Sequence, residues 1–334
     1  MVLVLGRPTG QDPCVLRVMT YNVRYFAHQH PVRGLSSLKR NVASVAKAIA
    51  GLDELPHVVA LQEVERRSLR AWWSHGRGGF SQMDVFAKAL SVALQDGNGL
   101  YGYRCLYFPA HSYSTGGVNV YTTGLGVLVR TDLEVLDWTS RDVTARRPPP
   151  WGRLKQTRIC AHVQIAVPGG IVLDVFNTHL SLPLFFSGKW VRGTGRLGGG
   201  TNQVLEAERV ASFVKSQASS DRFVVMGDFN SQPGTEAYRV FSEPGFLDVF
   251  GRAAFATAGF MHLRMRLDHI FHGRGLSAVD HEGTHAYGDV RGQWHGLSDH
   301  VPLVARFTWS DPSGEPRRAL PVEGDEDGSD MSGT

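Results

Sequence analysis

The sequence predicts sheets packed together with helices outside, a sandwich of the α/β or α+β class. Three observations carry that expectation. Helix-like and strand-like stretches alternate early in the chain, and hairpin signals take over in the middle. The 334 residues, 42% hydrophobic and 20% charged, can bury a large core.

The elements follow in order. Val15–Tyr21 is β-branched and apolar, a strand. From Leu38 to Ala50 the apolar residues Leu38, Val42, Val45, Ala46 and Ile49 fall at helical spacing, and Gly51 and Pro56 punctuate the end. His57–Leu61 is a short strand running into Gln62-Glu63, and Asp84–Leu94 is a second helix. Gly124–Arg130, Thr157–Val167 and Ile171–Leu180 are strands, with Pro168-Gly169-Gly170 as a hairpin turn between the last two. Val204–Ser216 is helical, Phe223–Met226 is a buried strand, and Leu267–His272 and Leu303–Thr308 close the core. From Ser310 to Thr334 apolar content collapses, which predicts a disordered tail. No linker divides residues 12–309, so they read as one domain.

Composition narrows the function. No apolar run reaches the ~18 residues of a membrane span, and Val2–Leu5 is shorter than the ~7–15-residue core of a signal peptide. Cys14, Cys105 and Cys160 are scattered and odd in number, which suits free thiols in a reducing compartment. Together these point to a cytoplasmic protein. A net charge of +4 permits a polyanionic substrate without demanding one.

Six polar clusters sit beside apolar runs: Asn22, Glu63, Asn177-Thr178-His179, Asp228-Phe229-Asn230, Asp268 and Asp299-His300. A lone Asp or Asn at a strand end is usually a turn or cap residue, and a lone His usually packs. Six clusters are harder to dismiss. Asp228 and Asn230 are two apart and on an extended segment would point the same way, as would Asn177 and His179. The set offers carboxylates, amides and imidazoles without Cys, a hard-donor inventory that suits Mg²⁺ or Mn²⁺ better than zinc. Such groups can activate water and neutralise phosphoryl oxygens. A serine nucleophile is disfavoured, because the G-x-S-x-G elbow is missing.

The motifs Thr20-Tyr21-Asn22-Val23, Leu61-Gln62-Glu63-Val64, Asn177-Thr178-His179-Leu180, Gly227-Asp228-Phe229-Asn230-Ser231, Leu267-Asp268-His269-Ile270-Phe271 and Ser298-Asp299-His300 occur in one order along the chain. In that order they resemble the endonuclease/exonuclease/phosphatase superfamily, the DNase I-like metal-dependent phosphoesterases. The resemblance implies a four-layer α/β sandwich, two mixed β-sheets face to face with helices outside. It implies Glu63 as principal metal ligand, with Asn22 and Asp299 close by, and Mg²⁺ (or Mn²⁺) as cofactor. Asp228 would orient or deprotonate water, and Asn230 would hold a phosphate oxygen. His179 would face the phosphate, and His300, oriented by Asp268, would be the second phosphate-facing imidazole. Asp228 and His300 both remain candidates for the general base. The implied reaction is hydrolysis of a phosphodiester, foremost in DNA or RNA. A sphingomyelinase-like or other phospholipid phosphodiesterase or phosphatase is the alternative, and a non-catalytic binding module of the same fold is a third. No protein partner is implied.

Gly227–Pro233 with Tyr238 is similar to the branch holding deadenylases and sphingomyelinase-like enzymes, and departs from the inositol-phosphatase branch. Two segments could read the substrate. Leu182–Asn202 interleaves Phe185, Phe186 and Trp190 with Lys189, Arg192 and Arg196, a composition that could stack on a base or grip a phosphate, or could be an idle surface loop. Trp72–Gln82 has the same two readings. Gly193–Gly198 formally matches G-x-G-x-x-G, but no strand leads into it, so a dinucleotide site is rejected.

Overall fold

Along each central strand the side chains alternate between two cores, and that alternation builds the molecule. A computed structural model of the chain describes residues 15–26, 36–66, 82–96, 101–115, 118–145, 157–182, 199–242, 245–251, 253–260, 263–280 and 287–309. The expected tail, most of both candidate reading loops and the Gly193–Gly198 stretch lie outside these residues.

The first sheet has the order β13-β14-β1-β2-β4-β3, formed by Val15–Asn22 (β1), Val58–Arg66 (β2), Tyr103–Thr115 (β3), Val118–Arg130 (β4), Ser277–Asp280 (β13) and Leu303–Thr308 (β14). The second has the order β5-β6-β7-β8-β12-β9, formed by Glu134–Asp142 (β5), Ile159–Val167 (β6), Ile171–His179 (β7), Phe223–Asp228 (β8), Leu247–Asp248 (β9) and Asp268–His272 (β12). A small hairpin pairs Ala258–Phe260 (β10) with Leu263–Met265 (β11). Both sheets are mixed. β1 runs parallel to β2, and β7 parallel to β8, while β14 and β12 run antiparallel beside them.

Leu16, Val18, Val58 and Ala60 of the first sheet meet Val163, Val175, Val224, Met226 and Ile270 of the second, forming the central core. The intervening residues point outward. Met19, Tyr21, Val59 and Leu61 pack on Ser36–Ala50 (α1) and Gln82–Asp96 (α2). Phe176, Val225 and Phe271 pack on Thr201–Gln217 (α3) and Glu236–Val240 (α4). Two sheets with a helical layer on each outer face make the four-layer α/β sandwich. Each fully buried aliphatic or Phe side chain contributes about 1.5–3 kcal/mol, so the period-2 pattern fixes the register strongly.

The expected helices and all the expected strands occur, with ends shifted by several residues. β3 and β5 were not expected from sequence. β5 alternates poorly because it is an exposed edge strand, and β3 carries Pro109, which only an edge tolerates. Cys105 and Cys160 are free thiols. Among the described residues no helix is long and apolar enough to cross a membrane.

Candidate active site

The topology brings the polar clusters to one end of the sandwich. Parallel β1, β2, β7 and β8 finish there, and antiparallel β12 and β14 begin there. Parity then aims the side chains. Leu16, Val18 and Asn22 are on the inward face of β1; Val175 and His179 on that of β7; Val224, Met226 and Asp228 on that of β8; Ile270 and Asp268 on that of β12. The inter-sheet core therefore gives way, at its end, to a cluster of polar side chains.

Glu63 breaks the parity rule. By alternation it would point out toward the helices. Between Leu61 and Val64, β2 carries one residue more than β4, and Glu63 adopts a left-handed backbone with φ 57°. This bulge turns its carboxylate toward the site, a strained conformation for a non-glycine residue. Gln62 keeps the inward direction and donates to Asn177 Oδ1 at 2.7 Å, while Asn177 Nδ2 donates to the Leu61 and Gly126 carbonyls. Asn177 is thus a cross-link between the sheets directly under the site.

The contacts centre on Asp228. Asn22 Nδ2 donates to Asp228 Oδ2 at 2.9 Å and to Glu63 Oε1 at 3.1 Å. His179 Nε2 lies 3.5 Å from Asp228 Oδ2 and 3.9 Å from Glu63 Oε1. His300 Nε2 lies 3.8 Å from Asp228 Oδ2, and its Nδ1 is 2.8 Å from Asp268 Oδ2. Asp268 faces Asp228 across the β8–β12 ladder, and its other oxygen, Oδ1, is buried without a hydrogen-bond partner among the described residues. Seven expected residues, Asn22, Glu63, His179, Asp228, Asn230, Asp268 and His300, thus form one network.

Asn230 joins it differently from expectation. The chain is not extended there: Asn230 has φ 48°, donates its backbone N–H to Asp228 Oδ1, and donates its side-chain amide to the Leu180 carbonyl. Asp299 sits at the rim, a third exposed, paired with Arg24 Nη1 at 3.0 Å. Ser298 Oγ donates to the Asn22 carbonyl at 2.7 Å and docks this segment on the end of β1.

Burial and neighbouring charge set the protonation states. Burial lifts the Asp228 carboxyl well above the usual carboxylate range, with Asp268 adding to it and His300 opposing. Burial also raises Glu63, partly offset by its Asn22 hydrogen bond. For His300 burial disfavours the charged ring, but Asp268 and Asp228 outweigh it and raise the imidazole. Burial, Arg158 and His300 together keep His179 neutral.

Sequence reasoning missed several supporting residues. Thr257 Oγ1 accepts from the Leu267 and Asp268 N–H groups, and Gln203 Nε2 donates to the Asn230 carbonyl. Glu206 accepts from the Ser181 N–H and hydroxyl and the Ala145 N–H. For Gln203 and Glu206 the signal was a polar residue on an otherwise apolar helix face; Thr257, in a loop, carried none.

The chain matches the profile of the endonuclease/exonuclease/phosphatase family over residues 19–300. The chain belongs to that family. Its members are generally hydrolases acting on phosphate esters. No curated protein sequence matches. Solved structures share the fold at low identity. An endonuclease/exonuclease/phosphatase from Beutenbergia cavernae superposes with a TM-score of 0.59 at 19% identity, covering 89% of this chain and 72% of its own. The human nocturnin catalytic domain with bound sulfate gives 0.57 at 16%, covering 89% and 94%. ANGEL2, a 2',3'-cyclic phosphatase in complex with adenosine-2',3'-vanadate, gives 0.57 at 15%, covering 89% and 96%.

Two donor groups could hold a metal. Ligand atoms of Asp228, Asp268 and His300 lie within 4.8 Å of one another. Asp268 Oδ2 and His300 Nδ1 are already committed to each other at 2.8 Å, so this trio is better described as a hydrogen-bonded acid–imidazole pair facing a carboxylate. Glu63 is the better donor. Its carboxylate is half-buried, accepts from the neutral Asn22 amide, and has no protonated partner in contact, which fits a hard divalent cation.

Proposed function

We propose that the protein is a Mg²⁺-dependent phosphoesterase that hydrolyses a phosphodiester by in-line attack of water, with nucleic acid as the leading substrate. The observation that carries this reading is Asp228, buried between two imidazoles and joined through one amide to Glu63.

Glu63, with Asn22 and Asp299 beside it, would hold the Mg²⁺ (or Mn²⁺). When bound, the ion supplies charge neutralisation at the phosphoryl oxygens. Asp228 orients the water and takes its proton as attack proceeds. The Asn22 amide and the Asn230 backbone N–H fix its two oxygens in place. His300, clamped by Asp268, keeps its proton and presents a positive Nε2 edge toward the developing charge. His179, neutral and facing both carboxylates, donates a hydrogen bond to a phosphate oxygen or leaving oxygen. Asn230, with one amide hydrogen held by the Leu180 carbonyl, would offer the other to a phosphate oxygen. Nucleic acid is favoured because phosphodiesters suit this donor set and ANGEL2, of the same fold, is seen in complex with adenosine-2',3'-vanadate.

The test is hydrolysis of DNA, RNA, sphingomyelin and a bis-aryl phosphodiester with Mg²⁺ or Mn²⁺. Cleavage of DNA or RNA, weakened by salt, supports the reading. Turnover confined to sphingomyelin would move the assignment to the phospholipid alternative, and no divalent-dependent turnover of any substrate would refute it.

A further inference from the structure

One cation at the site has no part in the reaction just described. Arg158 lies immediately before β6, and its backbone is held on both sides: its N–H donates to Thr144 Oγ1 at 2.9 Å, and its carbonyl accepts from the Val143 N–H at 2.9 Å. The side chain lines a narrow cavity with Glu63, His179, Thr123 and Thr157. Its Nε is buried with no hydrogen-bond partner among the described residues.

Arg266 Nε is likewise buried without a hydrogen-bond partner, but the structural arginines each meet a carboxylate in an ion pair, as Arg158 does not among the described residues. Arg130 pairs with Asp132 at 2.7 Å, and Arg266 pairs with Asp248 at 2.6 Å while donating to the Gly251 carbonyl. Buried Arg17 reaches toward Glu54. Each is neutralised by a carboxylate and props a loop. A buried donor on a permanent cation left without an acceptor is costly, and the cost is recovered if an anion arrives. The charge of Arg158 is felt within the site, where it lowers the proton affinity of both His179 and Glu63.

We propose that Arg158 is a substrate-binding residue that grips a nonbridging oxygen of the phosphate being cleaved, on the His179 side of the site. A guanidinium suits this task because its planar N–H fork matches two phosphate oxygens, which an ammonium does not. The idea rests on the phosphoesterase reading, but its first test does not need turnover.

The direct test is binding of inorganic phosphate, followed by ³¹P NMR titration in the absence of metal. Arg158→Met is expected to weaken binding roughly 10- to 100-fold, with Arg158→Lys intermediate. Arg104→Met, on an exposed arginine, controls for the lost charge and should bind as wild type. Equal phosphate affinity in wild type and Arg158→Met, at matched melting temperature, would overturn the proposal. The second test uses turnover. Arg158→Met should raise KM for both bis(4-nitrophenyl) phosphate and a trinucleotide, and free guanidinium should restore part of the loss. An effect on the trinucleotide alone would place Arg158 against a flanking phosphate and so contradict the assignment. A wild type that binds phosphate through Arg158 but hydrolyses nothing would refute the phosphoesterase reading and leave this one standing.

Discussion

Asp228 holds its position through an amide, a backbone N–H and two flanking imidazoles, so its removal should affect chemistry far more than folding. We expect Asp228→Ala and His300→Ala to lose turnover by about 10²–10⁴-fold with melting temperatures near wild type; near-normal rates in either would remove that residue from the chemistry. Asp268 acts through another group, holding His300 Nδ1. Asp268→Asn should therefore lower kcat roughly 10²-fold and shift the pH–rate profile, because the amide no longer favours the charged ring. An unshifted profile would make Asp268 a packing residue only. For Glu63→Gln we expect the Mg²⁺ needed for half-maximal activity to rise about tenfold or more, and an unchanged titration would remove Glu63 from the metal.

At the scale of elements, the site depends on two backbone devices at strand ends. One is the Glu63 bulge. The other is Gly227, with φ 147°, where an added Cβ would sit 2.0 Å from the Thr178 carbonyl oxygen. Gly227→Ala should force β7 and β8 apart and cost about 3 kcal/mol or more, read as a lowered melting temperature; a wild-type melt would show that the strands tolerate the intrusion. These devices also mark what could be read from sequence. The inward direction of Asn22, His179, Asp228 and Asp268 follows from period-2 alternation, and their order along the chain matches the family motifs. The left-handed backbone at Glu63 was not legible, because Glu does not favour a positive φ; Asn does visit that region, but the strand-like run before Asn230 suggested an extended segment instead. Arg24, Thr257 and Arg158 were invisible for another reason. Each lies outside a motif and reaches the site only through pairings between strands distant in sequence.

At the scale of the molecule, the sandwich is held at the site end by Asn177 and Gln62, and its acid tolerance is set partly by buried histidines. His57 accepts from the Arg17 N–H at Nδ1, and burial, reinforced by Arg130, lowers its imidazole to about 4. The unfolded chain binds this proton near pH 6.5, whereas the folded one resists it. Stability is therefore intact above that pH and falls from about 6.5 down to about 4. His57→Gln should make the pH slope of stability shallower by one proton over that window, about 1.4 kcal/mol per pH unit, in denaturant titrations at several pH values. Equal slopes would mean that His57 is protonated in the fold.

The central claim is that one end of this sandwich is a divalent-dependent phosphoesterase centre built around Asp228. The most direct measurement is hydrolysis of bis(4-nitrophenyl) phosphate by wild type and Asp228→Ala, each with Mg²⁺ and with a chelator. The expected result is turnover only by wild type and only with the metal, with both proteins folded. Turnover by folded Asp228→Ala at the wild-type rate, or by wild type in chelator, would contradict it.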